Sequence, residues 1–241
     1  MNLQLFLNRL DKVGQVIKSP ALARALFRYR VLAGAEHRHM LYPNLATVID
    51  IGANRGQFAL AARQWAPKAR VISFEPLDGA AQIFREVFAG DNRVTLHQMA
   101  IGPESGESVI HVSAREDSSS MLPITELQDK LFPGTAEKTT EVIRVEPLDK
   151  LVKPEDIVAP ALLKLDVQGF EIAALRGCKR LLPYFEYVYA ECSFLELYSG
   201  QALADEVVAY LGQQGFRLRG VYNVTYSGTG TSVQGDFLFA K

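Results

Sequence analysis

"VIDIGANRGQF", residues Val48–Phe58, is the stretch on which the fold turns. An apolar run reaches Asp50, and two glycines, Gly52 and Gly56, follow with Ala53, Asn54 and Arg55 between them. A short apolar run stopped by a glycine turn reads as a strand buried on both faces of a parallel sheet. Gly52 permits a sharp turn, and Gly56 lets the next helix approach the strand and a ligand. The start of that helix is expected to offer N–H groups without intrahelical partners. In open parallel sheets ligands bind beyond the carboxyl ends of the strands, where the strand order reverses. The first strand borders that point.

Outward from this stretch the chain alternates. "QFALAARQW" is helical, with Phe58, Ala61, Ala62 and Trp65 on one side, and Pro67 stops it. "RVISFEP" is a second strand, "GAAQIFREVFA" a helix and "RVTLHQMAIG" a third strand. Residues 104–152 break the rhythm: "SVIHVS" and "EVIRVEPL" are strand-like and flank a polar loop, which marks an insertion or lid region. The alternation then resumes with strand "ALLKLDV", helix "FEIAALRGCKRLL", strand "YVYAECS" and helix "ALADEVVAYLGQQG", ended by Gly215. "FRLRGVYN" and "VQGDFLFA" are too close for a crossover helix, so the last strand is antiparallel. The pattern predicts an α/β three-layer sandwich of the doubly wound kind.

The 241 residues suit one domain with a small addition. The division expected is an N-terminal helical extension over 1–44 and one ligand-binding domain over 45–241. A net charge of −1 gives no global attraction to nucleic acid or acidic membranes. Cys178 and Cys192 form no disulfide framework or zinc spacing, so a reducing cytoplasm is expected. No apolar run is long enough for a membrane span. Leu3, Phe6, Leu7, Leu10 and Val13 recur at helical spacing, giving a helix that packs on the domain or serves a homodimer contact.

The loop discriminates between ligands. A dinucleotide fingerprint needs G-x-G-x-x-G, and the middle glycine that admits a pyrophosphate is missing. A Walker A loop needs G-K-[ST], also missing. Asp50 before the glycines can brace the loop or orient a cationic group, and suits a cationic ligand; S-adenosylmethionine carries a sulfonium and an ammonium but no phosphate. Glu75, ending the second strand, is placed to accept hydrogen bonds from both ribose hydroxyls, a geometry shared with NAD sites.

Taken in order, "VIDIGANRGQF", "SFEP", "MAIG" and "LLKLDVQGFEIAALRG" resemble the FkbM-type methyltransferases, from about Leu45 to Lys241. The resemblance implies a seven-stranded Rossmann-like sheet with a reversed last strand. It also implies S-adenosylmethionine-dependent O-methylation of a hydroxyl on a sugar, glycan or secondary metabolite, with S-adenosylhomocysteine as product. By the same resemblance Asp50, Gly52, Ala53, Asn54 and Gly56 wrap the methionine part, with Phe58 beside them. Glu75 takes the ribose, and Pro76, Leu77, Ala100 and Ile101 border the adenine. Ser119, Ser120 and Met121, within "DSSSML", lie over cofactor and acceptor as a lid ordered by ligand, with the Ser120 hydroxyl available to bond. Asp166 lies near the sulfonium. Many relatives read "KIDVEGAE" there; this chain has Gln168 and Phe170 and keeps Glu171.

Methyl transfer to a hydroxyl requires alignment and removal of a proton. Asp166, Glu171 and Glu191 are the candidate bases, Asp166 first. Glu171 alternatively serves its own helix N-terminus, and Glu191, inside a strand, needs a partner or ligand. Asp166 and Glu191 end successive strands and could hold Mg²⁺, so a metal-dependent O-methyltransferase is an alternative. His97 and His111 read as strand-surface residues; His37 and His39, which precede the first strand, read as surface residues, with capping of the pocket as the alternative. An NAD-dependent oxidoreductase lacks the third glycine and a Tyr-x-x-x-Lys pair here; a non-catalytic binding module is disfavoured by Asp50, Glu75 and Asp166 together. The neutral charge, and the lack of an Asn-Pro-Pro-Tyr-type motif after the fourth strand, argue against a nucleic-acid substrate.

Overall fold

The computed structural model describes residues 19–241. The helix expected over Leu3–Val13, with its homodimer contact, lies outside the described residues. In chain order come α1 (Pro20–Tyr29), a 3-10 turn (Ala35–Met40), β1 (Thr47–Ile51), α2 (Gln57–Trp65), β2 (Arg70–Phe74), α3 (Asp78–Val87), β3 (Val94–His97), β4 (Ala100–Ile101) and β5 (Gly106–Ser113). They continue with α4 (Glu126–Leu131), β6 (Glu137–Glu146), α5 (Leu148–Leu151), β7 (Ala161–Leu165), α6 (Glu171–Gly177), β8 (Tyr187–Ser193), α7 (Ala204–Gln213), β9 (Arg217–Tyr226) and β10 (Ser232–Ala240). Among the described residues no helix is long and apolar enough to cross a membrane.

Seven strands form one sheet in the order β3-β2-β1-β7-β8-β10-β9. β1 pairs in parallel with both β2 and β7, and β10 runs antiparallel between β8 and β9. The chain leaves β1 toward β2 and β3 and returns on its other side as β7, so the strand order reverses between β1 and β7. Every residue of β1 is buried, as its apolar run predicts. The two-residue period still sorts its side chains. Val48 packs with Val71 and Leu162 against Ala59, Ala62 and Phe84 of α2 and α3. Ile49 and Ile51 pack with Leu163 and Leu165 against Ala174, Leu175, Val207 and Leu211 of α6 and α7. Two helical layers thus cover one sheet, the doubly wound three-layer α/β sandwich that the alternation predicts.

The third strand differs from expectation. It ends at His97, where Met99 N–H turns back to the His97 carbonyl at 3.0 Å. Ala100 and Ile101 then join a separate three-stranded sheet, β4-β6-β5. Buried Leu77, Ala100, Ile110, Val112, Ile143 and Val145 give this small sheet its own apolar contact with the start of α3. Ahead of β1, α1 is capped by the Ser19 hydroxyl, starts with Pro20, and packs Leu22 and Ala25 on Leu60 of α2. The 3-10 turn that follows lies beside α2, over the carboxyl ends of the strands.

Candidate active site

A cavity of about 290 Å³ opens at the carboxyl ends of β1, β2 and β7. Its floor is the glycine turn. Gly52 has φ +77°, and a Cβ there would fall 1.8 Å from the Asp166 carbonyl oxygen, so the ends of β1 and β7 meet only because residue 52 is glycine. Gly56, at φ +95°, lies off the cavity. A Cβ there would come 2.5 Å from Phe88, so this glycine serves the approach of α2 to α3 rather than a ligand.

Every backbone amide of the turn is already used. Gly52 and Ala53 N–H donate to the Phe74 carbonyl, each at 3.0 Å, and Gly56 N–H donates to Ala53 O at 2.9 Å. Asn54 N–H donates to Glu75 Oε2 at 2.8 Å, and Arg55 N–H to Asn54 Oδ1 at 2.7 Å. The five amides from Gly52 to Gly56 are therefore taken, and the unpaired N–H groups expected at the helix start are those of Gln57, Phe58 and Ala59, ahead of the Leu60 N–H to Gly56 O bond.

Glu75 is held in place rather than flexible. Oε1 accepts from Leu77 N–H at 2.9 Å, and Oε2 from Asn54. Burial pushes its pKa up to about 7, opposed by these two amides and by Lys164. Each oxygen retains a second lone pair for a diol.

Asp50 takes the loop-bracing role of the two expected and does not face a ligand. It is fully buried and does not line the cavity. Its carboxylate lies 3.0 Å from Lys164 Nζ, and Ser73 Oγ donates to it at 3.4 Å. The cation it orients is the chain's own. Lys164 Nζ also donates to the Gly52 carbonyl at 2.8 Å and stands 3.7 Å from Asp166. Burial alone would depress the ammonium, but Asp50 and Asp166 hold its pKa above the ordinary value. Lys164 lines the cavity together with Glu36, Glu75, Glu116, Asp117 and Asp166, an acidic set.

Of the three candidate bases, Asp166 alone faces the cavity, with its side chain 41% exposed. Its Oδ1 accepts from Gln168 Nε2 at 2.7 Å. The same amide donates to Glu191 Oε2 at 2.7 Å, while Glu191 Oε1 accepts from Gln234 at 2.8 Å. Glu191 is thus partnered behind Gln168, off the cavity; burial, and then Asp166 and Asp236, raise its pKa well above the carboxylate range. Glu171 is also off the cavity. Its Oε1 accepts from Val167 N–H and Gly169 N–H at 3.3 and 3.2 Å, so it braces the turn into α6, and burial pushes its pKa up to about 7. The Mg²⁺ alternative finds no support: an amide NH₂ stands between Asp166 and Glu191, and among the described residues no metal-ligating cluster forms.

Ala53, Asn54, Phe58, Pro76, Leu77, Ala100, Ile101, Ser119, Ser120 and Met121 all line the cavity. Ser120 is not available to a ligand in the sense expected. Its hydroxyl donates to Gln168 O at 2.6 Å and accepts from Leu122 N–H at 3.0 Å. Its backbone pairs with His111 of β5, and Arg55 reaches Glu116 at 2.6 Å.

Sequence reasoning missed Lys164, Gln168 and Phe170 as cavity residues. A lysine inside "LLKLDV" was the available signal for the first. His37 takes the pocket-capping alternative rather than the surface reading: it lines the cavity, half-buried, whereas His39 is exposed. Its partner Tyr189 is 152 positions away, and no spacing announces that contact.

A reversed-order parallel sheet with a glycine turn and an acidic cavity lined by Glu75 at its strand ends is the architecture of Rossmann-like, S-adenosylmethionine-dependent methyltransferases. The profile described as "Methyltransferase FkbM domain" matches residues 50–218, and the chain belongs to that family. The 2-O-methyltransferase NoeI of Sinorhizobium fredii (strain NBRC 101917 / NGR234) is 31% identical over 165 residues, 64% of this chain and 66% of that one. Methyltransferase 1 of Beauveria bassiana (strain ARSEF 2860) is 25% identical over 150 residues, 56% of this chain and 59% of that one. The chain thus spans slightly under two thirds of the length of these curated relatives. The solved magnesium protoporphyrin IX methyltransferase (ChlM) from Synechocystis PCC 6803 with bound SAM superposes with a TM-score of 0.44 at 11% identity, covering 86% of this chain and 80% of that one.

Proposed function

We propose that the chain is an O-methyltransferase carrying the methyl group of S-adenosylmethionine to a hydroxyl on a sugar, glycan or secondary metabolite. The observation that carries this reading is the saturation of all five amides from Gly52 to Gly56 beside a carboxylate-rich cavity. Such a site suits a phosphate-free cation and rejects a dinucleotide. Gln57 adds to the fit: its Oε1 is buried and has no hydrogen-bond partner among the described residues, an acceptor matched to an ammonium. The name of the Sinorhizobium relative, a 2-O-methyltransferase, supports oxygen as the acceptor atom.

In this reading Glu75 holds the ribose diol; Leu77, Ala100, Ile101 and Ile110 flank the adenine; Ala53, Asn54 and Gln57 face the methionine part. When bound, the cofactor supplies an electrophilic methyl on a good leaving group. The protein then has to align a hydroxyl and dispose of its proton. Asp166, at the cavity mouth, is an acceptor that orients the incoming hydroxyl. Calorimetry against S-adenosylhomocysteine and NAD⁺, followed by tritium-methyl transfer into glycan and metabolite extracts, tests the reading. Binding of NAD⁺ in preference to S-adenosylhomocysteine would overturn it.

A further inference from the structure

We propose that His37 takes the proton from the acceptor hydroxyl, with Tyr189 and Asp236 as its positioning residues. The inference rests on the methyl-transfer reading above and names the base within it.

The 3-10 turn Ala35–Met40 carries His37 over the cavity beside Phe58, ring centroids 5.3 Å apart. Gly34 makes this possible: a Cβ there would sit 2.6 Å from the imidazole Cδ2. The ring is fixed from below by two strands. Nδ1 lies 3.1 Å from the Tyr189 hydroxyl of β8 and 3.6 Å from Asp236 Oδ2 of β10. Asp236 lies beside the Tyr189 hydroxyl as well as Nδ1 and is anchored by Asn223 Nδ2 at 2.7 Å. An Nδ1–H directed at the tyrosine oxygen, and a tyrosine O–H directed at the carboxylate, form a relay. That relay sets the tautomer and leaves Nε2 with the lone pair. Tautomers follow from the hydrogen-bond network, and this one is consistent at every link.

Of the three carboxylates named as candidate bases only Asp166 reaches the cavity, where it orients the hydroxyl. Asp166 accepts from Gln168 and faces Lys164; Glu171 and Glu191 lie off the cavity. Imidazole is also the side chain whose ordinary pKa suits proton exchange near neutrality.

The step balances. The hydroxyl proton passes to Nε2, an oxygen lone pair forms the bond to the methyl carbon, and the pair of the broken carbon–sulfur bond stays on sulfur. One positive charge thereby leaves the sulfonium and appears on the imidazolium, 3.6 Å from Asp236. Solvent then collects the proton. His37 and Asp236 both fall outside residues 50–218, so this pair is not part of what the family profile matches.

Long-range proton–nitrogen spectra of the full chain, with His37 assigned by its loss in His37→Gln, read the tautomer directly. The expected result is Nδ1–H in the wild type, reverting to the usual Nε2–H in Tyr189→Phe. Nε2–H in the wild type overturns the proposal. Tritium transfer from S-adenosylmethionine to methyl glycosides supplies the rate. His37→Gln should lower kcat by about 10²–10⁴-fold, the range of general base catalysis, with S-adenosylhomocysteine affinity by calorimetry unchanged. A variant that keeps wild-type kcat, or that loses cofactor affinity in step with kcat, overturns the assignment. If wild-type protein labels no glycoside, the acceptor class fails and the tautomer alone decides His37. If it binds no S-adenosylhomocysteine, the methyl-transfer reading itself fails.

Discussion

Lys164 carries more of the site's integrity than its single position suggests. Its ammonium is buried against Asp50, reaches Asp166 and holds the Gly52 carbonyl. Replacing it with methionine leaves Asp50 charged, buried and without its cation, a change that costs about 3–5 kcal/mol. Denaturant melts of Lys164→Met should show that loss, while Asp50→Asn/Lys164→Met together should recover part of it. Equal stability of the single and double variants would deny the coupling. The acids nearby set a pH dependence. Glu75 and Glu171 have ordinary values of 4.5, raised by burial to about 7 in the fold. Their contribution is fully present below 4.5 and is lost as pH rises toward 7, because the unfolded chain ionises first. Each shift is worth on the order of 3 kcal/mol. The ligand-free protein should therefore lose stability between about pH 5 and 7.5, and Glu171→Gln should flatten that slope; an unchanged slope would contradict the burial assignment. At this scale Glu75 and Asp166 were legible, because each ends a strand whose end was readable. Lys164 was not, and His37 was legible only as one of two pocket-capping alternatives, since the meaning of both lies in partners that only the sheet brings near.

Elements explain where the sequence pattern stopped working. The periodicity of "RVTLHQMAIG" continues across a real break, because Ala100 and Ile101 stay buried while changing sheets. Apolar alternation records burial, not which sheet a residue joins. The same limit applies to the turn from β7 into α6. Gln168 takes φ +52°, and its side chain bonds Asp166, Glu191 and Tyr198 while its carbonyl accepts from Ser120. This turn and the loop over Ser118–Leu122 form one latch, closed by Tyr198 O–H to the Ser118 carbonyl at 3.1 Å. Removing the Ser120 hydroxyl unpairs Leu122 N–H and Gln168 O, worth about 1–3 kcal/mol locally. Ser120→Ala should therefore be cut in this loop by a limiting protease roughly ten-fold faster than wild type. S-adenosylhomocysteine should protect the wild-type loop. Equal cutting with and without ligand would reject a lid; equal cutting of variant and wild type would reject the latch.

For the whole molecule, the reversal of strand order between β1 and β7 converts an apolar sandwich into a binding protein. It puts Gly52, Glu75 and Asp166, from three strand ends, around one cavity. Because that cavity exists only in the folded state, its ligand must stabilise the whole sheet. At a hundred-fold excess over Kd the gain is about 2.7 kcal/mol, read as a rise in Tm. S-adenosylhomocysteine should produce that rise and NAD⁺ should not, since Gly52 to Gly56 leave no amide for a pyrophosphate. Glu75→Gln separates binding from folding. It removes a raised, buried acid but turns an NH₂ toward one of the two amides the carboxylate accepts from, Leu77 or Asn54, so the ligand-free variant should lose about 1–3 kcal/mol. It also replaces a charged acceptor with a neutral amide, and hydrogen bonds to charged groups are worth about 1.5–3 kcal/mol. The ligand-induced rise, measured from the variant's own starting Tm, should shrink by most of its size. A Glu75→Gln protein stabilised as much as wild type would mean that the ribose is held elsewhere, and that the acid at the end of β2 serves only to tie Asn54 to Leu77.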